Sequence, residues 1–392
     1  MNENPKLLYV SPFPPLKSGI SDYSVILVDA LKSRYDITLY VDDYDLADVD
    51  KIKEFPILKH GKDSVVWDSY DYIIYNIGNN PYFHDYIYEA CIEHPGMVIL
   101  HDLVLYYMFI GYYQKRNCLY SRIYEQEGLE LLLKIKEYVK KEKKDLLQIK
   151  GIASEFPFHK ELLESGNKIM VHSQYAFDRV KQYTNKVKKI NMIQQVAESF
   201  ELIKKDKLYK KYGIPTDAIV ITSFGIVAET KLNHIACEVV RNIAKEKKVC
   251  YVMVGEGEYV NCYVDNKHIF KTGYVDMDEF DSFIVHSDIV LNLRHPSMGE
   301  TSAALIKILQ MGKACIINDE GWFAEIPADC AVKLPIDNIK EDLEQKLTLL
   351  IDDVQRRKQI EQNAEQYIKA EYSTKKIIDD IERFLFASIE NK

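Results

Sequence analysis

One loop of this chain combines a cation, a carboxylate and a helix start. The strand-like segment SDIVLNLRHP carries Arg294, and the loop SMGETS, with Gly299 and Glu300, leads into the helical pattern TSAALIKILQMG. Ligands of α/β proteins bind at the carboxyl ends of parallel strands, and small residues let the backbone N–H groups of a helix start approach a phosphate. The loop therefore indicates a phosphate site. A helix cap at Thr301 or Ser302 explains it almost as well.

Other strand ends in the second half carry residues of the same kind. The segment AIVITSFG ends at Gly225, and Lys231 follows it, either as a point charge for a phosphate or as a solvated helix-start lysine. KVCYVMVGEG ends in a second glycine loop with Gly255, and TGYV, with Tyr274 and Val275, follows a further strand. Several strand ends on one edge favour a nucleotide site over unrelated turns.

The first half offers two candidates at strand ends. Gly19 lies in the loop PFPPLKSGIS after the first strand, where it approaches a ligand or simply permits a positive φ. His101 and Asp102 end the buried run GMVILHD. A histidine there either contacts a ligand or satisfies a local backbone carbonyl.

These candidates need a scaffold of alternating strands and helices. In the first half, short apolar runs alternate with helical spacing, which predicts a parallel sheet covered on both faces. The alternation restarts after about residue 195, which predicts a second α/β domain. We assign residues 1–195 to the first domain, with a helical stretch at 119–165, residues 196–370 to the second, and 371–392 to a terminal helix.

Composition bounds the function classes. The chain has 392 residues, 47% of them hydrophobic, which suits two domains. A net charge of −9 disfavours nucleic-acid binding. Seven scattered cysteines without a CxxC pair favour reduced residues over disulfides or zinc ligands.

The sequence also bears on location. No apolar run is long enough to span a membrane and no signal peptide opens the chain, so we expect a cytoplasmic protein. The lysines between 134 and 144 form either a contact with anionic lipid at the inner face of the membrane or a solvated helix face.

The chain resembles glycosyltransferase family 4, the retaining GT-B enzymes, over nearly its whole length. The matching segments are FG-x5-K at 224–231, VGEGE at 254–258, TGYV at 272–275, SDIVLNLRHPSMGETS at 287–302 and GKACIINDEGWFAEIP at 312–327, with PPLKSGISDYS, YNIGNN, ILHD and VHSQYA in the first half. The combination of NLRHPSMGETS with GWFAEIP is similar to a bacterial branch that handles surface polysaccharides. The resemblance implies two doubly wound Rossmann-like domains facing a cleft, with the C-terminal helix crossing back to the first.

The resemblance also implies an activity: transfer of a hexosyl group from a UDP-, GDP- or dTDP-linked sugar to a glycan, lipid-linked or protein-linked acceptor. It implies retention of configuration and no cofactor or metal, and no DxD motif stands at a suitable strand end. The catalytic residues it implies are His101 and Glu300. The donor-binding residues it implies are Gly19, Gly225, Lys231, Gly255, Tyr274, Val275, Arg294, Gly299, Thr301 and Ser302.

Two departures from the family pattern keep other functions open. The second glutamate of the family signature falls near Lys307, and the usual arginine after the first strand is Ile226, so we expect Arg294 to supply the missing charge. A catalytically impaired scaffold subunit and a sugar-nucleotide epimerase are the alternatives. An NAD-dependent oxidoreductase is disfavoured, because no GxGxxG follows the first strand.

Overall fold

The structure, a computed structural model, describes residues 4–149, 151–194 and 202–387. The predicted domain boundary at 195/196 lies outside these residues. The described chain divides into two compact units. Unit 1 comprises residues 4–193, 298–301 and 374–387, and unit 2 comprises residues 194–297 and 302–373.

Unit 1 is built on a parallel sheet of seven strands. They are β1 (Lys6–Val10), β2 (Asp36–Val41), β3 (Ile57–Lys59), β4 (Tyr72–Ile77), β5 (Met97–Leu100), β6 (Lys168–Val171) and β7 (Val187–Lys189). Their order across the sheet is β3-β2-β1-β4-β5-β6-β7. From β1 the chain adds β2 and β3 on one side of the sheet, and from β4 it adds β5, β6 and β7 on the other side. The β1/β4 pair is therefore the point where the strand order reverses.

Six helices connect these strands. They are α1 (Gly19–Leu31), α2 (Pro81–Glu93), α3 (Tyr106–Lys115), α4 (Leu119–Glu142), α5 (Lys160–Ser165) and α6 (Gln174–Val180). The tyrosine-rich helix α3 packs into the core, with Tyr106, Phe109 and Tyr113 all buried. Serine hydroxyls cap α1 and α6, where Ser18 accepts a hydrogen bond from Ser21 N and Ser173 from Ala176 N.

The helical stretch predicted at 119–165 is only partly helical. Gly128 interrupts α4 with φ 87° and ψ 178°, outside the helical region. Two short 3-10 turns, Leu146–Gln148 and Ala153–Glu155, lie in the segment between α4 and α5.

Unit 2 repeats the architecture with six parallel strands. They are β8 (Ile219–Phe224), β9 (Val249–Val254), β10 (Ile269–Lys271), β11 (Ile289–Asn292), β12 (Cys315–Asn318) and β13 (Val332–Leu334), in the order β10-β9-β8-β11-β12-β13. The helices are α7 (Lys205–Tyr212), α8 (Asn233–Ile243), α9 (Met277–His286), α10 (Ala303–Gln310), α11 (Ile339–Asp352) and α12 (Val354–Glu371). Every residue of β9 is buried, as expected for a strand covered on both faces.

The last helix, α13 (Thr374–Phe386), belongs to unit 1. Its apolar residues Ile377, Ile381 and Phe384 recur at helical spacing and are buried. Arg34 after α1 pairs with Asp379 at 3.0 Å and with Glu382. No helix among the described residues is long and apolar enough to cross a membrane.

Candidate active site

The reversal point of the unit 2 sheet lies between β8 and β11, which pair through Ile221 with Ile289 and Thr222 with Val290. Open α/β sheets bind ligands beside the carboxyl ends of such a pair, because the loops leave in opposite directions and open a crevice. Gly225 follows β8, and Arg294 stands two residues after β11. The sequence candidates of this unit therefore lie at the edge where a ligand is expected.

Two glycine loops meet at this edge with almost no space between them. Gly225 N donates to Val254 O at 2.9 Å, and Val227 N donates to Glu256 O at 2.7 Å. Gly225 has φ +86°, and a Cβ at Gly255 would lie 2.0 Å from the Gly225 carbonyl oxygen. Glycine is needed at both positions because a side chain would force the loops of β8 and β9 apart.

Lys231 is held at the end of β8. It closes a 3-10 turn, Glu229–Lys231, and its Nζ donates to the Phe224 carbonyl oxygen at 2.7 Å. A Cβ at Gly225 would lie 2.7 Å from the same Nζ. The ammonium group therefore lies directly beside the first glycine loop.

Thr230 connects Arg294 to this lysine. The Arg294 guanidinium lies 3.4 Å from Thr230 Oγ1, and His295 N donates to Thr230 O at 2.8 Å. Arg294 N donates to Asn318 Oδ1 at 2.7 Å, and Asn318 ends β12. The structure thus brings the two predicted cations, Lys231 and Arg294, to neighbouring positions at the ends of β8 and β11.

The start of α10 lies at the same edge. Ser302 is its N-cap, with Oγ accepting from Leu305 N at 3.1 Å, and Asn292 Nδ2 at the end of β11 lies 3.4 Å from that Oγ. The cap alternative from the sequence therefore holds for Ser302. The hydroxyl satisfies one orphan amide of the first turn.

Residues 298–301 pack within unit 1. Val104 N donates to Met298 O at 3.3 Å, and a Cβ at Gly299 would lie 2.5 Å from the Leu103 side chain. Glu300 Oε2 accepts a hydrogen bond from Met298 N at 2.7 Å, so the carboxylate stabilises the loop in which it lies. Thr301 is the last residue of this segment.

The remaining unit 2 candidates, Tyr274 and Val275, follow the edge strand β10. Tyr274 is 63% exposed, and Gly273 before it has φ +75°. Since β10 is two strands from β8, and strands lie about 4.8 Å apart, this loop lies roughly 10 Å from the glycine at the end of β8.

Gly19 is the first residue of α1, whereas the sequence placed it in the preceding loop. Its φ is not positive, and a Cβ there would meet no described atom within 4 Å. The turn explanation for Gly19 is therefore wrong, since a side chain would be sterically tolerated.

His101 directly follows β5 in unit 1 and is buried in a polar cluster. Its Nε2 lies 2.9 Å from Asn76 Oδ1, and its ring lies 4.7 Å from Tyr23 and 5.2 Å from His172. The Asn76 carboxamide is therefore the partner of the ring at Nε2. This partner is a side chain and not a backbone carbonyl, and the ligand role of His101 stays a prediction.

Burial sets the charge state of this cluster. Desolvation lowers the pKa of His101 well below its ordinary value, helped by the neighbouring His172 and His84. Burial also lowers the pKa of His84 to about 3 and that of His172 to about 4. All three imidazoles are therefore neutral near pH 7.

Sequence reasoning missed the residues that position the candidates. Thr230, Asn318 and Asn76 bear no resemblance to a ligand motif, and they contact the predicted side chains only in the fold. Glu320 is a further case, since its carboxylate lies 2.8 Å from His295 Nδ1 and accepts from Ser297 N at 3.2 Å. Asn318 ends β12 and Asn76 is the next-to-last residue of β4, and neither position carries a sequence signal for these contacts.

The segment where the second family glutamate is expected carries an ion pair instead. Lys307 Nζ lies 2.5 Å from Asp281 on α9, and the Asp281 side chain is 2% exposed. Among the described residues, no group of three or more histidine, cysteine, aspartate or glutamate side chains is placed to hold a metal.

Comparison with known proteins finds a family match in unit 2. Residues 204–367, which form most of this unit and include Lys231, Arg294 and the glycine loops, match the family model of glycosyl transferases group 1. No curated protein sequence matches the chain significantly.

Several solved structures are similar to this chain over nearly all of its length. HepE of Anabaena, in complex with UDP and glucose, is 14% identical with a TM-score of 0.64, covering 97% of this chain and 99% of its own. Sucrose-phosphate synthase of Thermosynechococcus elongatus is 12% identical with a TM-score of 0.65, covering 98% and 99%. WaaG, a glycosyltransferase of lipopolysaccharide biosynthesis, is 11% identical with a TM-score of 0.62, covering 97% and 100%. The predicted GT-B fold of two Rossmann-like domains is confirmed.

We expect His101 to be neutral at about pH 6 and protonated at Nε2, because burial lowers its pKa and Asn76 Oδ1 accepts from that nitrogen. The nitrogen NMR shifts of the labelled imidazole report both properties. Asn76→Asp places a carboxylate against Nε2 and should raise the pKa of His101.

The matched control is Asn338→Asp, the same change at an exposed position of unit 2. It should leave the His101 signals in place. An Nδ1-protonated ring in the unaltered protein, or an unchanged pKa in Asn76→Asp, would contradict this assignment.

Proposed function

We propose that this chain is a glycosyltransferase, which moves a hexosyl group from a nucleoside-diphosphate sugar to a hydroxyl of a glycan, lipid-linked or protein-linked acceptor. One observation carries the proposal: Lys231 and Arg294 stand together at the reversal point of the unit 2 sheet, beside two glycine loops that admit close backbone approach. Two cations with a helix start beside them suit a diphosphate.

The donor is assigned to a UDP-, GDP- or dTDP-linked sugar. HepE in complex with UDP-glucose supports the uridine form, with 13% identity and a TM-score of 0.64. The diphosphate would lie against Lys231, Arg294 and the loops of Gly225 and Gly255. Tyr274 and Val275, roughly 10 Å along the edge, would reach the base.

Catalysis follows from where charge develops. The bond between the anomeric carbon and the diphosphate oxygen breaks, and its electron pair leaves on that oxygen. Preorganised cations stabilise this growing charge, usually the largest contribution to such a rate. In the retaining route, the acceptor oxygen bonds the anomeric carbon on the same face, and its proton passes to the departing diphosphate. We propose that no metal and no cofactor take part.

His101 and Glu300 are assigned to the transferred sugar. A neutral imidazole with a lone pair on Nδ1 accepts a hydrogen bond from a sugar hydroxyl without adding charge near the leaving group. Glu300 is a second acceptor. Gly19, at the start of α1 with open space beside it, would admit the ligand where a larger residue would crowd it.

A donor screen tests the proposal directly. A ligand that binds only the native state raises the unfolding midpoint. We expect one of UDP, GDP or dTDP, and its sugar conjugate, to raise the midpoint of the full chain. The conjugate should release the nucleoside diphosphate when acceptors are added. Stabilisation without release would favour the impaired scaffold, product without acceptor would favour an epimerase, and no stabilisation would refute the nucleotide site.

Lys231→Ala should weaken nucleoside-diphosphate binding about tenfold or more, since a hydrogen bond to a charged group contributes roughly 1.5–3 kcal/mol. Isothermal calorimetry measures the loss, and Arg294→Ala should show a loss of similar size. The matched control is Lys248→Ala, which removes a lysine at the opposite edge of the same sheet, immediately before β9. Equal affinity in Lys231→Ala and Lys248→Ala would remove Lys231 from the site.

Glu300→Ala should reduce sugar transfer by roughly a hundredfold, the usual loss when one polar contact to a transition state is removed. Diphosphate binding and the unfolding midpoint should stay near the unaltered values. Because Glu300 also accepts from Met298 N, Glu300→Gln keeps an acceptor for the loop and separates the structural role from the catalytic one. Exposed Glu125→Ala in unit 1 is the control, and full transfer by Glu300→Ala would exclude Glu300 from catalysis.

A further inference from the structure

We propose that helix α4 binds the surface of an anionic membrane, independently of sugar transfer. The proposal rests on a cluster of exposed side chains that the active site does not use. We call Tyr120, Tyr124, Leu129, Leu133, Lys136 and Lys140 the α4 patch.

The break at Gly128 folds α4 back on itself. Along an unbroken helix, Tyr120 and Lys136 would stand roughly 24 Å apart at 1.5 Å per residue. In the structure, Lys136 Nζ lies 5.3 Å from the centre of the Tyr120 ring. The segments before and after Gly128 therefore lie side by side, and Tyr120 joins the surface formed by the second segment.

The segment after Gly128 presents apolar side chains to the core and also to solvent. Leu132 and Ile135 face inward and are buried. Leu129, Leu133, Lys136 and Lys140 follow at the i, i+4, i+7, i+11 spacing of a single helix face. Both leucines are 57% exposed, and Tyr124 on the first segment is 55% exposed.

Large apolar side chains at such exposure need an explanation. A soluble surface carries single exposed leucines without consequence, but adjacent apolar residues bordered by charge mark an interaction site. Two leucines and two tyrosines meet here on one hairpin. The α4 patch therefore suits a partner whose apolar region lies just beneath its own polar surface.

Charge selects the partner. Residues 134–144 contain six lysines and two glutamates. Lys134 pairs with Glu155, whereas Lys136, Lys140, Lys141, Lys143 and Lys144 form no ion pair with any residue that the structure describes. Over Leu119–Glu142 five basic side chains balance five glutamates, so the lysine excess lies at the C-terminal end, where residues 140–144 hold four lysines and one glutamate. In a protein of net charge −9, this local positive field matches acidic phospholipid headgroups.

The arrangement is that of an interfacial helix. Tyrosine rings settle at headgroup depth, leucines enter the acyl boundary, and lysine stems lie along the apolar surface with their ammonium groups at the phosphates. Each lysine near an anionic surface strengthens binding about fivefold at low salt. Four apolar side chains add attraction that salt does not screen.

Vesicle sedimentation with the full chain tests the proposal. We expect binding to vesicles of phosphatidylcholine with phosphatidylglycerol, weaker binding to phosphatidylcholine alone, and a loss on adding salt. Lys136→Glu/Lys140→Glu should lower the partition coefficient on anionic vesicles more than tenfold, given about fivefold for each lysine. Leu129→Ser/Leu133→Ser should also lower the partition coefficient on anionic vesicles, and the fraction of binding that remains at high salt should decrease.

The controls are Lys267→Glu and Leu349→Ser, exposed positions of unit 2. They should sediment like the unaltered protein, and every variant should keep its affinity for the nucleoside diphosphate. Equal sedimentation with neutral and anionic vesicles, or unaltered binding by both patch variants, would overturn the proposal. So would a dimer in light scattering that Leu129→Ser/Leu133→Ser converts to a monomer, since the patch would then bind a second copy.

Discussion

The hydrogen bond from Lys231 Nζ to the carbonyl oxygen of Phe224 positions the lysine ammonium group at the end of the unit 2 sheet. It ties a cation to the last residue of β8, so the charge is placed by the sheet and not by a mobile side chain. The same turn supplies Thr230, whose carbonyl accepts from His295 N and whose hydroxyl contacts Arg294. The turn thus holds each cation by a hydrogen bond to a neutral group at the ends of the neighbouring strands β8 and β11. Preorganisation of this kind is what makes electrostatic stabilisation effective.

Unit 1 buries imidazoles, whereas unit 2 places cations at its strand ends. His101 follows β5, His172 follows β6 and His84 lies on α2, and burial lowers the pKa of all three, which keeps them neutral near pH 7. A buried cation here would cost several kcal/mol, whereas a neutral imidazole needs only hydrogen bonds. The Asn76 carboxamide supplies one to His101 at 2.9 Å. The buried cluster of unit 1 therefore holds neutral hydrogen-bonding groups, in contrast to the exposed lysines of α4 on the same unit.

The sequence predicted the long buried strands because fully buried runs such as VCYVMV are apolar throughout. It missed β3, β7 and β13, which have three residues each, lie at or near the sheet edges and include lysines, so that no apolar run marks them. The candidates at strand ends could be found because the carboxyl ends of parallel strands share one edge. Thr230 and Asn76 could not, since their roles depend on contacts that only the fold creates. The fold-back of α4 at Gly128 also escaped, because the flanking helical pattern continues on both sides of one glycine.

The net charge of this protein is negative, whereas some local clusters are positive. Which of them an approaching anion experiences depends on its distance from the surface. At −9 the chain repels an anionic donor or membrane from afar, but interactions between exposed charges are largely screened beyond about 8 Å at physiological ionic strength. Within that range Lys231 and Arg294 dominate one surface and the α4 lysines another. The pair formed by Lys307 and Asp281 contributes to neither, since each charge neutralises the other below the surface. The acidic excess therefore disfavours unspecific association with polyanions, and under the proposed function specific anions would bind only where cations are clustered and positioned by the backbone.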